Sequence, residues 1–146
     1  MPVRTKRWND PREAGDGFRV LVCRYRPRGV RKDAEPWDAW MEDLGPSRVL
    51  HAAYWGKTGA PIGWPEYQRR YLDEMMQPTG RGAAMLGALA ARAAAGETLT
   101  LLCSSACADP ERCHRTLLQN LVERAAARPG AATKLATKRA ARPPSS

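Results

Sequence analysis

Two short apolar runs stand out along the chain, Phe18-Arg19-Val20-Leu21-Val22-Cys23 and Thr98-Leu99-Thr100-Leu101-Leu102-Cys103. Each is rich in aliphatic and β-branched side chains and is bounded by Gly or Pro, the pattern of a buried strand. Elsewhere the apolar positions recur with the period of a helix. Trp64, Tyr67, Tyr71, Leu72 and Met75 share one face and Glu66, Arg69, Arg70 and Asp73 the other, which predicts an amphipathic helix over 64–76. Residues 81–95 are alanine-rich, with Met85, Leu86 and Leu89 to pack and Gly96 to stop the helix. Asp109 suits a helix N-cap and Pro110 a first turn. Cys113, His114, Leu117, Leu118, Leu121, Val122 and Ala125 then form one apolar face. Trp37, Trp40, Met41 and Leu44 stand at i, i+3, i+4, i+7 and predict a further helix over 36–44, and 47–54 reads as a short strand. The alternation predicts an α/β fold: a small, three-layer-like single domain with a short, mostly parallel sheet flanked by helices.

Outside these elements the chain is punctuated. Residues 1–17 are polar and turn-rich and are expected to form a flexible basic arm, and the glycines and proline of 56–63 make a loop. Beyond Arg128-Pro129-Gly130 only Ala, Thr, Lys, Arg, Pro and Ser abound, with Leu135 the one large apolar side chain. Such a segment buries too little to offset its ordering entropy, so 128–146 is expected to be a disordered basic tail behind a domain over 18–127.

At 146 residues, 43% hydrophobic and 27% charged, the chain is long enough for one core. It holds no run of the ~18 apolar residues that a membrane span needs. The charged start at Met1–Arg7 has no apolar stretch behind it, so no secretory signal is expected, and the expected location is cytoplasmic without a membrane partner. The net charge is +9, and six of those charges lie after Glu123. Positive charge favours polyanionic partners, nucleic acid among them. The four cysteines, Cys23, Cys103, Cys107 and Cys113, are expected to be reduced thiols rather than a disulfide framework.

The densest chemistry runs from Cys103 through Ser104, Ser105, Cys107, Asp109 and Cys113 to His114 and Arg115. It passes from a strand's carboxyl end into a helix start, the place where open α/β sheets bind ligands and where anions are favoured and thiols acidified. Three readings compete. Cys103, Cys107, Cys113 and His114 are candidate zinc ligands, although adjacent helical residues such as Cys113 and His114 point about 100° apart. In the second reading Cys103 is a catalytic thiol, His114 its base and Arg115 a stabiliser of charge. In the third the cysteines are small buried hydrophobes and His114 a hydrogen-bonded core residue. A second cluster, Arg24, Arg26, Arg28, Arg31 and Lys32, follows the first strand. If the two strands lie side by side and parallel, both clusters meet at one edge. Arg24, Arg28, Ser104, Ser105 and Cys113 are then expected to bind a small anionic, phosphate-bearing ligand, a nucleotide or a nucleic-acid end. The alternatives are a non-catalytic nucleic-acid-binding protein that uses its basic tail and a structural zinc protein.

Val20 to Lys32, Trp40, Leu44-Gly45-Pro46-Ser47, Trp64 to Tyr71 and Thr98 to Leu102 stand in an order and spacing that resembles the bacterial and archaeal family called domain of unknown function 488. The resemblance covers about residues 18 to 125. It implies a small α/β fold with helices beside a short sheet, and no established activity. Two positions depart from the pattern: Cys23 replaces the usual aspartate after the first strand, and Arg26 the usual tryptophan before Pro-Arg-Gly. Cys103 at the strand end with Cys113-His114-Arg115 at the helix start is similar to one branch of the family. Arg24, Arg28, Cys103, Cys113, His114 and Arg115 are the site positions the resemblance implies.

Overall fold

A computed structural model describes residues 3–131. Four strands, β1 (Val3–Arg7), β2 (Phe18–Leu21), β3 (Ala39–Trp40) and β4 (Leu99–Cys103), form one sheet in the order β1-β4-β2-β3, with every pairing parallel. Four α-helices accompany them: α1 (Arg48–Tyr54), α2 (Trp64–Met75), α3 (Arg81–Ala94) and α4 (His114–Ala126). Val20, Val22, Leu99 and Leu101 pack with Leu50 of α1, Tyr71 of α2, Leu89 of α3 and Leu118 of α4, so residues of all four helices share one core with the sheet. A smaller buried group joins Leu21, Leu102 and Trp37 to Cys23, Cys103 and Cys113, and loop residues Trp8 and Val30 pack against it. The α/β class and the parallel sheet are as expected, with the second group covered in part by loops.

The strands β2 and β4 and the helices α2 and α3 lie where periodicity puts them, and α4 carries the expected apolar face but begins at His114 rather than after Asp109. Three segments differ. Val3–Arg7, expected within a loose arm, pairs residue for residue with β4. Only Val3 of this strand is buried, so its sequence carries no apolar alternation to read. The segment 36–44, expected as a helix, supplies the edge strand β3 and a 3-10 turn at Glu42–Leu44. The N–H of Asp38 donates to the Arg19 carbonyl at 2.7 Å, that of Met41 to Leu21 at 2.9 Å, and Trp40 Nε1 to Cys23 at 2.8 Å. Satisfying the open edge of β2 outweighs local helical spacing. The segment 47–54, expected as a strand, is α1, because Ser47 caps it by accepting from the Leu50 N–H at 3.1 Å. The expected tail over 128–146 falls mostly outside the described residues.

The β1–β2 connection is held down by a buried ion pair. Arg19 Nη1 donates to Asp16 Oδ2 at 2.7 Å with both side chains fully buried, and Lys6 Nζ lies 2.8 Å from Asp16 Oδ1. Thr100 Oγ1 of β4 donates to the Asp16 carbonyl at 2.7 Å, which pins the same turn to the sheet centre. Burial by itself pushes the Asp16 carboxyl up. Hydrogen bonds from Lys6, the Glu13 N–H and Arg19 outweigh it and hold the group at about 2. A folded-state value below the unfolded one contributes stability above about pH 3.9, lost as the pH falls toward 2. Denaturant unfolding across that range should therefore show stability declining below about pH 4. Asp16→Asn should begin about 3–5 kcal/mol lower at neutral pH, because it strands Arg19. A variant as stable as the parent at pH 7 would contradict this account.

Candidate functional site

A parallel sheet gathers its strand ends at one edge. At that edge β2 and β4 are neighbours, so Cys23 and Cys103, 80 residues apart, bring their sulfurs to 4.0 Å. The chain leaving Cys103 turns at Ser104, whose carbonyl accepts from the Cys107 N–H at 3.0 Å, and passes through a 3-10 turn at Pro110–Arg112. Asp109 caps that turn, accepting from Glu111, and the helix proper begins later, at His114. The cap of α4 is thus Cys113, with extended backbone at φ −138° and ψ 141°. This detail decides the geometry. Cys113 and His114 do not diverge as successive helical residues would, and both side chains converge on Cys103.

Cys103 is the hub. Its Sγ receives a hydrogen bond from Cys113 at 3.2 Å, gives one to Cys107 at 3.3 Å, and lies 3.8 Å from His114 Nδ1. None of the four thiols is in a disulfide. His114 Nε2 is 2.8 Å from the Val22 carbonyl, which only accepts, so the proton sits on Nε2 and the Nδ1 lone pair faces the sulfurs. Burial pushes His114 toward its neutral form, and the Tyr71 ring lies 5.5 Å away. The thiol hydrogen bonds run from Cys113 through Cys103 to Cys107 and end there. Accepting them drives the Cys107 thiol well below the usual range, while hydrogen bonding within the cluster pushes Cys103 and Cys113 up. Cys107, where the run ends, is the least buried sulfur of the three. Arg115 is buried behind the loop: Nη2 donates to the Cys107 carbonyl at 3.3 Å, while Nε and Nη1 have no partner among the described residues.

The cluster opens into a cleft of about 520 Å³ lined by the residues of the Cys103–Asp109 loop, by Arg24 to Arg28 and by a ring of aromatic side chains. The two sequence clusters do share this edge, but their members differ in availability. Arg24 is committed: Nη1 donates to Asp43 at 2.9 Å and Nε to the Pro46 carbonyl at 2.9 Å. It straps the strand end to the segment that leads into α1. Gly45 permits this, since a Cβ there would lie 2.4 Å from the Arg24 nitrogen. Arg26 pairs with Glu35 at 2.9 Å. Arg28 and Arg112 are exposed, line the cleft, and have no ion-pair partner among the described residues. Ser104 and Ser105 line it as well, with Ser104 Oγ accepting from the Ala106 N–H at 3.2 Å.

Sequence reasoning missed two residues of the far wall, His51 and Trp55. His51 and Trp55 sit at i and i+4 on α1 and its end, and Tyr25 meets His51 edge-on at 5.0 Å. Tyr25 is 46% and Trp55 52% exposed, large flat surfaces at the mouth of a cleft. Reading 47–54 as a strand hid this i, i+4 relation. Burial lowers the pKa of His51, and its Nδ1 has no partner among the described residues.

Fold and site together define a class, a small parallel α/β domain with a Cys/His cluster at the carboxyl edge of its sheet. Residues 3–126 match the family model DUF488-N3a, described as the active DUF488-N3 subclade, and the chain belongs to the DUF488 family. It is similar to the uncharacterised protein YeaO of Escherichia coli, 33% identical over 105 residues that span 72% of this chain and 84% of that protein. The uncharacterised proteins Rv3073c of Mycobacterium tuberculosis and Mb3100c of Mycobacterium bovis are each 36% identical over 73 residues, half of this chain and 59% of theirs. No solved structure matches.

The burial order of the sulfurs yields a prediction. Brief iodoacetamide treatment of the native, reduced protein, followed by peptide mass mapping, should label Cys107 first. Cys23, Cys103 and Cys113 should react only as the protein unfolds. Native labelling of Cys103 ahead of Cys107 would contradict the arrangement.

Proposed function

We propose that the protein is a thiol-dependent enzyme that binds a phosphate-bearing ligand with a flat ring, a nucleotide or the end of a nucleic acid, in the cleft above the cysteines. The observation that carries this reading is the convergence, in one cavity, of a hydrogen-bonded thiol relay on the floor with unpaired arginines and exposed aromatic rings at the rim. Arg28 and Arg112 are the cations with forks to spare, so they are the phosphate partners, in place of Arg24. Tyr25 and Trp55 offer the faces on which a base stacks. Cys107 is the sulfur best exposed to the ligand. Cys103 stands one hydrogen bond behind it and donates to it, so the Cys103 thiol holds negative charge on Cys107, while His114 Nδ1 faces Cys103 from the other side. Arg115 keeps negative charge at the Cys107 loop. That the matching family model is described as an active subclade supports a catalytic role. Unpaired thiols suit a reducing compartment, so the cytoplasm is the proposed location. No described helix is long and apolar enough to cross a membrane.

Nucleoside monophosphates and inorganic phosphate serve as probes. Each nucleotide should quench tryptophan emission through Trp55 and bind more tightly than phosphate alone. Arg28→Ala with Arg112→Ala should weaken nucleotide binding by at least ~10-fold, the loss expected for about 1.4 kcal/mol of charge-assisted hydrogen bonding. Cys107→Ser should leave binding intact while removing turnover of any substrate found. Nucleotides that bind no better than phosphate, or a Cys107→Ser protein with full turnover, would end this reading.

A further inference from the structure

The same cluster has a second competence, independent of any thiol chemistry. We infer that Cys103, Cys113 and His114, with Cys107 as the closing ligand, form a binding site for one zinc ion. The donor atoms of Cys103, Cys113 and His114 all lie within 4.8 Å of one another. Zinc–sulfur and zinc–nitrogen bonds of about 2.3 and 2.0 Å in a tetrahedron set two sulfurs about 3.8 Å apart and a sulfur and a nitrogen about 3.5 Å apart. The Cys103–His114 separation of 3.8 Å lies within about 0.3 Å of that spacing. The sulfur pairs at 3.2 and 3.3 Å need to open by only about half an ångström. Cys107 lies outside that set of three and has to swing in from its loop to close the tetrahedron, and neither it nor Cys113, at a helix cap, is locked into a ladder that resists this movement.

Two further observations favour an ion over a plain thiol nest. His114 donates its Nε2–H to the Val22 carbonyl at 2.8 Å and leaves Nδ1 bare toward the sulfurs, which is the outer hydrogen bond that metal-bound histidines make. Three thiolates and a neutral imidazole around Zn²⁺ carry one net negative charge. Arg115, buried beside them with Nε and Nη1 unpartnered among the described residues, balances it. Cys23 is left out, because its thiol meets the cluster only through Cys103, at 4.0 Å. A bound ion occupies the lone pairs of Cys107, so zinc and the proposed thiol chemistry exclude each other. Zinc would hold the enzyme silent until a stronger chelator removes it.

The test uses the full chain, reduced and stripped of metal. Titration against a fluorescent zinc competitor should show one equivalent bound, and native mass spectrometry one added zinc. Cobalt(II) should give thiolate-to-metal bands together with a tetrahedral visible spectrum, a readout that needs no variant. His114→Gln should lose at least ~10-fold in zinc affinity while Cys23→Ser keeps it, with circular dichroism confirming that both fold. Zinc should also protect Cys107 from iodoacetamide. A folded, fully reduced parent that leaves zinc with the competitor would overturn the inference. So would cobalt without thiolate bands, or a Cys23→Ser protein as impaired as His114→Gln. Zinc binding by a protein whose metal-free Cys107 proves unreactive would support the site and overturn only the thiol-enzyme reading.

Discussion

The hydrogen bond from His114 Nε2 to the Val22 carbonyl is the constraint on which the site depends. It joins residues 92 positions apart, the first residue of α4 and the exit of β2. Three features accompany this one contact. It goes with a start of α4 later than Asp109, where the local signals favour one, because His114 reaches the sheet and the residue before it, Cys113, is extended. It selects the imidazole tautomer, so that a lone pair rather than a proton meets the sulfurs. It also satisfies a carbonyl at the end of a central strand, which would otherwise be buried without a donor.

The sheet's all-parallel pairing then supplies the neighbours. Because every strand ends at the same edge, the loops after β2 and β4 bound a single cavity even though they are 80 residues apart in the chain. The buried Asp16–Arg19 pair performs the same service at the other end of β2, anchoring the connection that crosses from β1. Polar pins of this kind specify register in a sheet whose edge strands are short, β3 having only two residues.

What the sequence reveals about this fold depends on where burial is two-sided. The strands β2 and β4 are central and apolar throughout, and α2 presents a clean Trp64–Tyr67–Tyr71 face, so each is legible from periodicity alone. The edge strands are not, since Val3–Arg7 buries one residue, and Trp40 is held by its indole N–H rather than by apolar packing. The site was legible where chemistry is compact. Cys103, Cys107, Cys113 and His114 lie within one strand-to-helix passage, and Cys23 joins them once β2 and β4 are parallel neighbours. It was illegible where partners come from afar. Nothing local distinguishes Arg24, consumed by Asp43 and Pro46, from Arg28, which is exposed, and the His51–Trp55 wall exists only because 48–54 is helical.

The buried guanidinium of Arg115 sets the electrostatic problem that any function here must solve. Burying a cation with two N–H groups unpartnered among the described residues is costly unless negative charge stands close by. No carboxylate lies in the Cys103–Arg115 passage except Asp109 and Glu111, both exposed, and Asp109 already caps its own turn. The readings proposed above supply that charge from sulfur, as a thiolate on Cys107 or as a metal-thiolate unit, or from the phosphate of a ligand. Each would fill the same electrostatic vacancy, so the thiol, zinc and anion readings share one physical requirement.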